Sequence, residues 1–179
     1  MNWRKKAVSG HPERTRLLDS GWASTHDAAK AGVNVMPSVA EEKEAIREVM
    51  SEYCFCLDGG RFADMAALFT PDGVWDTAYG KGIGRDGIEA LVRKMRHGRP
   101  ITQANRGVHL VTNFVIKIDG DTAHVLSNWV VAQNSPAGPI VSAAGGYEDD
   151  MVKQDGTWRF RIRKIDRFIA ADLTPPQLS

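Results

Sequence analysis

Three side chains in this sequence have the types and settings that suit acid–base chemistry: His109 and, upstream of it, Asp58 and Tyr53. His109 lies in the run Arg106-Gly107-Val108-His109-Leu110-Val111-Thr112-Asn113-Phe114-Val115-Ile116, in which β-branched and aromatic residues dominate. That composition predicts a β-strand. Side chains alternate along a strand, so Val108, Leu110, Thr112, Phe114 and Ile116 are expected on one face and His109, Val111, Asn113 and Val115 on the other. Both faces are largely apolar, as in a strand covered on both sides. An imidazole in that setting needs a partner. It is either a buried histidine satisfied by a neighbouring backbone group, or a base, since a neutral imidazole with an unperturbed pKa of about 6.5 takes a proton at neutral pH. No Ser or Cys is evidently poised beside His109, which favours direct proton abstraction over covalent catalysis.

The elements that must position these residues follow from periodicity. Ser38-Val39-Ala40-Glu41 has the spacing of a capping box and starts the folded part of the chain. Ile46, Val49, Met50, Tyr53 and Leu57 recur at helical spacing, and Gly59-Gly60 ends the helix just after Asp58. A short helix is expected from Arg61 to Phe69, with Phe62, Met65, Ala66 and Phe69 on its inner face. Thr70-Pro71-Asp72-Gly73 reads as a turn, Val74 to Tyr79 as a short strand, and Gly80-Lys81-Gly82-Ile83-Gly84 as a flexible connection. A third helix, about Arg85 to Arg96, buries Ile88, Leu91, Val92 and Met95 and turns Arg93, Lys94 and Arg96 to solvent. From Gly107 the period is two. Asp119-Gly120-Asp121 signals a hairpin, a second strand runs from Thr122 to about Gln133, and residues 134–139 form a loop. A third strand covers Ile140 to Lys153 with a bulge or bend at Gly145-Gly146, and a fourth runs from Thr157 to about Ile169. The fold class is α+β: three helices, then a four-stranded antiparallel meander that curls around them into a cone with a cavity.

With 179 residues the chain is one domain by length, and its net charge of +1 gives no general argument for a nucleic-acid partner. Residues 1–37 are polar and poorly periodic and read as an extension, 38–170 as the folded domain, and 171–179 as an irregular tail. No apolar run reaches the roughly 18 residues of a membrane span, and no apolar stretch follows the basic N-terminus, so a cytoplasmic location without a membrane partner is expected. Cys54 and Cys56 point to different sides of a helix and have no second pair, which reads as free buried thiols rather than a zinc site. No convergent His and carboxylate spacing suggests another metal. Asp149-Asp150 and Glu41-Glu42 read as solvated. Trp75, Trp129 and Trp158 suit either the core or a ligand platform, and His124 either a pocket wall or the core.

Four stretches in order carry a resemblance: Ile46-Arg47 through Tyr53 to Leu57-Asp58-Gly59-Gly60, Leu68-Phe69-Thr70-Pro71-Asp72-Gly73-Val74-Trp75, His109-Leu110-Val111-Thr112-Asn113, and Gly156-Thr157-Trp158-Arg159-Phe160. Together they resemble the SnoaL-like branch of the nuclear transport factor 2-like superfamily over about residues 38–170. The resemblance implies a cone-shaped, curved antiparallel sheet wrapped around N-terminal helices, with a deep pocket. Within that branch the chain is similar to enzymes that eliminate with an Asp–His pair, the hexachlorocyclohexane dehydrochlorinases, bile acid 7α-dehydratases and scytalone dehydratases. Carried over, His109 matches their histidine, Asp58 its carboxylate partner, Tyr53 a proton donor and Arg163 an active-site arginine. Arg159, Arg161, Arg163 and Arg167 alternate along one strand, and apart from Arg163 that row reads as solvated. Asn113, Asn128, Trp75, Phe69 and Val111 are expected to contact substrate.

The implied function is a cofactor-independent lyase, most plausibly a dehydratase, acting on a small hydrophobic cyclic substrate. A carboxylate on the far imidazole nitrogen fixes its tautomer and stabilises the imidazolium. Ketosteroid-type isomerisation and polyketide cyclisation are neighbouring possibilities. A ligand-binding module or the small subunit of a ring-hydroxylating dioxygenase is the non-catalytic one. The apolar face opposite His109 predicts a homo-oligomer, a trimer or dimer.

Overall fold

The first helix, α1 (Val39–Gly59), begins as its sequence predicts. The Ser38 hydroxyl accepts the Glu41 N–H at 3.3 Å, and the Glu41 carboxylate accepts the Ser38 N–H at 2.7 Å. The helix stops at Gly60, which takes a left-handed φ of 74° that a Cβ would strain. One face of α1 buries Ile46, Met50 and Tyr53 completely. The computed structural model describes residues 36–97, 101–102 and 106–170; the expected tail, and all of the expected extension except Met36 and Pro37, lie outside these residues.

After α1 come α2 (Phe62–Ala67), β1 (Phe69–Thr77), β2 (Gly80–Ile83), α3 (Gly84–Met95), β3 (Gly107–Asp119), β4 (Thr122–Ser135), β5 (Gly138–Gln154) and β6 (Thr157–Ala170). The strands form one six-stranded sheet in the order β2-β1-β6-β5-β4-β3. The meander β3 to β6 is antiparallel as expected, but β1 joins β6 in parallel, so the curved sheet is mixed rather than purely antiparallel. The helices fill its inner face around Trp75, Phe69, Trp129, Tyr147 and Phe160.

The differences from expectation have local causes. The glycine-rich segment at 80–83 is a strand, not a flexible connection. A Cβ on Gly82 would lie 2.7 Å from the Ile88 Cα, so this glycine lets α3 lie directly on β2. Thr70-Pro71-Asp72-Gly73 is a bulge inside β1: pairing with β6 jumps from Phe69↔Phe160 to Val74↔Ile162. Phe69 consequently opens β1 instead of closing α2. The expected loop at 134–139 shrinks, because β4 continues to Ser135 and β5 starts at Gly138. The predicted irregularity at Gly145 is present as a register shift after Ala144, where a Cβ would meet the Asp166 carbonyl oxygen and the Trp129 ring.

A bulge in β3 changes which residues share a face. Pairing moves from Thr112↔Asn128 to Val115↔Leu126, and Asn113 takes a φ of 56°. The extra residue reverses the alternation, so Phe114 and Ile116 turn inward with His109 rather than away from it. The outer face keeps Val108 and Leu110 and gains Val115, all about half exposed.

Glu42 is not solvated, as its place beside Glu41 suggests. Its carboxylate accepts from Lys153 at 2.5 Å and from the Trp158 indole at 2.7 Å, tying α1 to the β5–β6 hairpin. The bond from Lys153 holds the Glu42 carboxyl below its ordinary 4.5. A lowered carboxyl stabilises the fold above its unfolded pKa and loses that contribution as pH falls. Glu42→Gln should therefore lower unfolding free energy by about 1–2 kcal/mol at pH 7. In denaturant titrations that deficit should shrink steadily below pH 4.5. A deficit independent of pH would show that the ion pair is not its source.

Candidate functional site

Asp58 sits in the last turn of α1, against β3, an edge strand of the sheet. An edge strand leaves every second backbone donor unpaired. The His109 N–H is one of these, and it donates to Asp58 Oδ2 at 2.7 Å. The ring of the same residue turns inward, with Nδ1 at 2.5 Å from Asp58 Oδ1. An ionised carboxylate only accepts, so Nδ1 carries the proton and Nε2 keeps its lone pair when the ring is neutral. Only 8% of the Asp58 side chain and 19% of the His109 side chain are exposed, so water competes little for this contact.

Both residues line a cavity of about 380 Å³. Its deep part is aromatic and apolar: Tyr53, Trp75, Trp129 and Tyr147 are nearly or fully buried, and Leu57, Val131 and Ile165 complete the wall. Tyr79, His97 and Arg167 are exposed at the rim, with Arg96 and Gln133 half-buried beside them. Tyr53 Oη accepts the Trp75 indole N–H at 2.9 Å. An indole N–H can only donate, so the phenol's own proton is left for another acceptor. Burial pushes the Tyr53 hydroxyl well above its ordinary 10.0, and Tyr147 is raised in the same way, so both stay protonated donors. Burial also pushes the Cys54 thiol up to about 11 and the Cys56 thiol to about 12, so neither is a thiolate at neutral pH. Both thiols are free. Among the described residues no group of three His, Cys, Asp or Glu side chains is placed to hold a metal ion.

Of the residues expected at the site, Asp58, His109, Tyr53 and Trp75 come together in this cavity. Arg163 does not line it. Its Nε and Nη2 donate to the two oxygens of Asp149, each at 2.7 Å, and both side chains are completely buried. The guanidinium lies 4.2 Å from the Tyr53 ring centroid and 4.1 Å from those of Tyr147 and Phe160. Arg163 thus supports the two cavity tyrosines from behind, and Asp149 is its buried partner rather than a solvated acid. Burial pushes the Asp149 carboxyl up and the facing guanidinium opposes that push.

Another bulge decides which arginines of the row turn inward. The register of β5 with β6 shifts between Asp150↔Ile162 and Met151↔Phe160. The arginine row is therefore split: Arg159 and Arg161 face outward to Ala67 O and Asp150, while Arg163 and Arg167 face inward. Asn113 and Asn128 bond to each other at 3.1 Å away from the cavity, since Asn113 is the exposed bulge residue and Asn128 alternates with inward-facing Ser127 and Trp129. Phe69 is sealed in the core against Phe160. Val111 shares the inner face with His109 but packs on the core without lining the cavity. His124 lies beside Asp150 and Glu148, outside both cavity and core.

Tyr147, Arg96 and Arg167 line the cavity without having been expected there, and Trp129, which suited either the core or a ligand platform, lines it as well. Alternation along β4 and β5 places Trp129 and Tyr147 inward and was available in the sequence. Arg167 depended on the β6 bulge, for which no residue type gives a signal. Removing one member of a buried ion pair strands the other, so Arg163→Met and Asp149→Leu should each cost about 3–5 kcal/mol, with much of the loss recovered in the double variant. Equilibrium denaturation of the three variants measures this. An unchanged stability in Arg163→Met would contradict its structural role.

A family model described as SnoaL-like domain matches residues 38–164. An uncharacterized protein of Mycobacterium tuberculosis is 31% identical in an alignment 144 positions long that covers 73% of this chain and 89% of that protein. A crystal structure of an NTF2-like protein with a cystatin-like fold from Novosphingobium aromaticivorans superposes with a TM-score of 0.66 at 21% identity, covering 74% of this chain and 86% of that one. The beta subunit of a proposed aromatic-ring-hydroxylating dioxygenase from the same organism gives a TM-score of 0.64 at 22% identity, covering 76% of this chain and 97% of that one. At these identities the two structures bear on the fold alone. The chain belongs to the SnoaL-like domain family.

Proposed function

We propose that this SnoaL-like protein is a cofactor-independent lyase that removes water, or a comparable leaving group, from a small, largely hydrophobic cyclic substrate. The observation that carries this reading is the double acceptance by Asp58 of the His109 backbone N–H and Nδ1–H, which leaves Nε2 as a base at the wall of an apolar cavity. His109 Nε2 takes a proton from the carbon next to an activating group. The electron pair forms the new double bond as the β-substituent leaves. Asp58 stabilises the imidazolium, and Tyr53, whose proton is not used by Trp75, delivers it to the departing hydroxide, which leaves as water. Isomerisation and cyclisation begin with the same proton abstraction, and product analysis separates them from elimination.

The test is a screen of cyclic β-hydroxy carbonyl compounds and halogenated rings for alkene formation. With a substrate in hand, His109→Ala should lower kcat by on the order of 10²–10⁴. Asp58→Asn should keep the fold and lose rate, because the amide permits the wrong tautomer and offers no charge to the imidazolium. The rate should show no fall near the ordinary tyrosine value of 10.0, since burial keeps Tyr53 protonated beyond it. Equal turnover by wild type and a folded His109→Ala would refute the mechanism.

The outer face of β3, with Val108 48%, Leu110 54% and Val115 51% exposed, continues onto Leu126, Phe168 and Ile169. An apolar face of this kind marks an interface, and a symmetric homo-oligomer is the assembly that covers it. Sedimentation at micromolar concentration should give a dimer or trimer, and Leu110→Lys should shift it to monomer. A monomeric wild type would contradict the assembly.

A further inference from the structure

The rim of the cavity differs in charge from its interior. Asp58 is the one acidic side chain lining the cavity among the described residues, and His109 occupies it. Two arginines, Arg96 and Arg167, line the same cavity. Elsewhere in the fold Arg47, Arg61, Arg93 and Arg161 meet carboxylates, and Arg85 and Arg159 meet backbone carbonyls. Arg96 has no acceptor among the described residues, and Arg167 has only the neutral Tyr79 hydroxyl at 3.4 Å. A basic residue at the end of α3 complements the helix dipole, as Arg93 and Lys94 do, and that would account for Arg96 alone. It does not account for Arg167, which projects from a strand.

We infer that the substrate carries a carboxylate, bound at the rim by Arg167 with help from Arg96, at the opposite end from the carbon that faces His109. A guanidinium presents paired donors that match the two oxygens of a carboxylate, and among the described residues neither arginine meets a carboxylate. Arg167 pairs with Gly145, which pairs with Trp129, which pairs with Val111, two residues from His109. Three strand spacings separate the two walls, about 14 Å along the sheet and less across the hollow of its curve. The ring body of the substrate occupies the aromatic interior between the two ends. This reading extends the proposed elimination by fixing which end of the substrate enters first: the apolar reacting end goes in and the acid stays at the mouth.

Binding separates this inference from the catalytic one. The probes are naphthalene-2-carboxylate and the uncharged naphthalene-2-carboxamide, titrated calorimetrically into the full chain at low ionic strength. The wild type should bind the acid on the order of tenfold more tightly than the amide. Added salt should weaken the acid and leave the amide unchanged. Arg167→Gln should bring the two probes to near-equal affinity with the amide unaffected, so the amide also reports that the variant is folded. Arg96→Gln should lose less. His109→Ala should retain the preference, which excludes the imidazole as the source of the acid's advantage and leaves this result independent of any effect on turnover. Equal binding of the two probes by wild type, binding of neither at millimolar concentration, an undiminished preference in Arg167→Gln, or loss of the preference in His109→Ala would each overturn the inference.

Discussion

A single carboxylate, that of Asp58, satisfies two donors of one residue on another element, and the architecture can be read as what that arrangement demands. The backbone N–H of His109 is free because β3 is the edge of the sheet. The ring turns inward because His109 falls on the concave side of the strand. The carboxylate reaches both because α1 ends within a turn of that edge and is stopped there by a glycine in a left-handed conformation. The contact does structural and chemical work at once. It closes an open sheet edge against a helix, and it settles which imidazole nitrogen is left bare in the cavity.

Behind the cavity a second charged contact plays a different part. Arg163 and Asp149 are directly paired across β6 and β5 and both fully buried. A pair of that kind costs much desolvation, which its geometry and the three surrounding aromatic rings offset. The cation presses on the faces of Tyr53 and Tyr147, so the rings that supply hydroxyls to the cavity have little freedom to turn away. Trp75 donates its indole N–H to the Tyr53 oxygen, which leaves the phenol proton for another acceptor. Asp58 and Trp75 thus act alike: each engages one atom of a neighbouring group and leaves another unengaged.

Much of this was legible in the sequence. The capping box at Ser38, the helix face through Tyr53, the stop after Asp58 and the period-two strands from Gly107 follow from local chemistry that tertiary packing did not override. The positions of Asp58, Tyr53, Trp75 and His109 in one cavity followed from the family resemblance laid over that pattern. What was not legible traces mainly to bulges. A one-residue insertion at Asn113 reversed the faces of Phe114 and Ile116, and another in β6 separated Arg163 and Arg167 from Arg159 and Arg161. Alternation counts residues, and a bulge adds one without changing composition. β2 was missed for a related reason: its glycines lower strand propensity, yet the missing side chain of Gly82 is what admits α3. Asp149 and Glu42 looked solvated because charge pairs are uninformative until partners are known, and their partners lie on other elements.

With Asp58 accepting at Nδ1, the neutral His109 ring carries its proton there and has a bare Nε2. Nitrogen-15 NMR of the histidine rings, at a pH where His109 is neutral, reads this directly. A protonated Nδ1 and an unprotonated Nε2 are expected for His109 in the wild type, with that preference lost in Asp58→Asn. A wild-type ring protonated at Nε2, or a tautomer indifferent to Asp58→Asn, would contradict it.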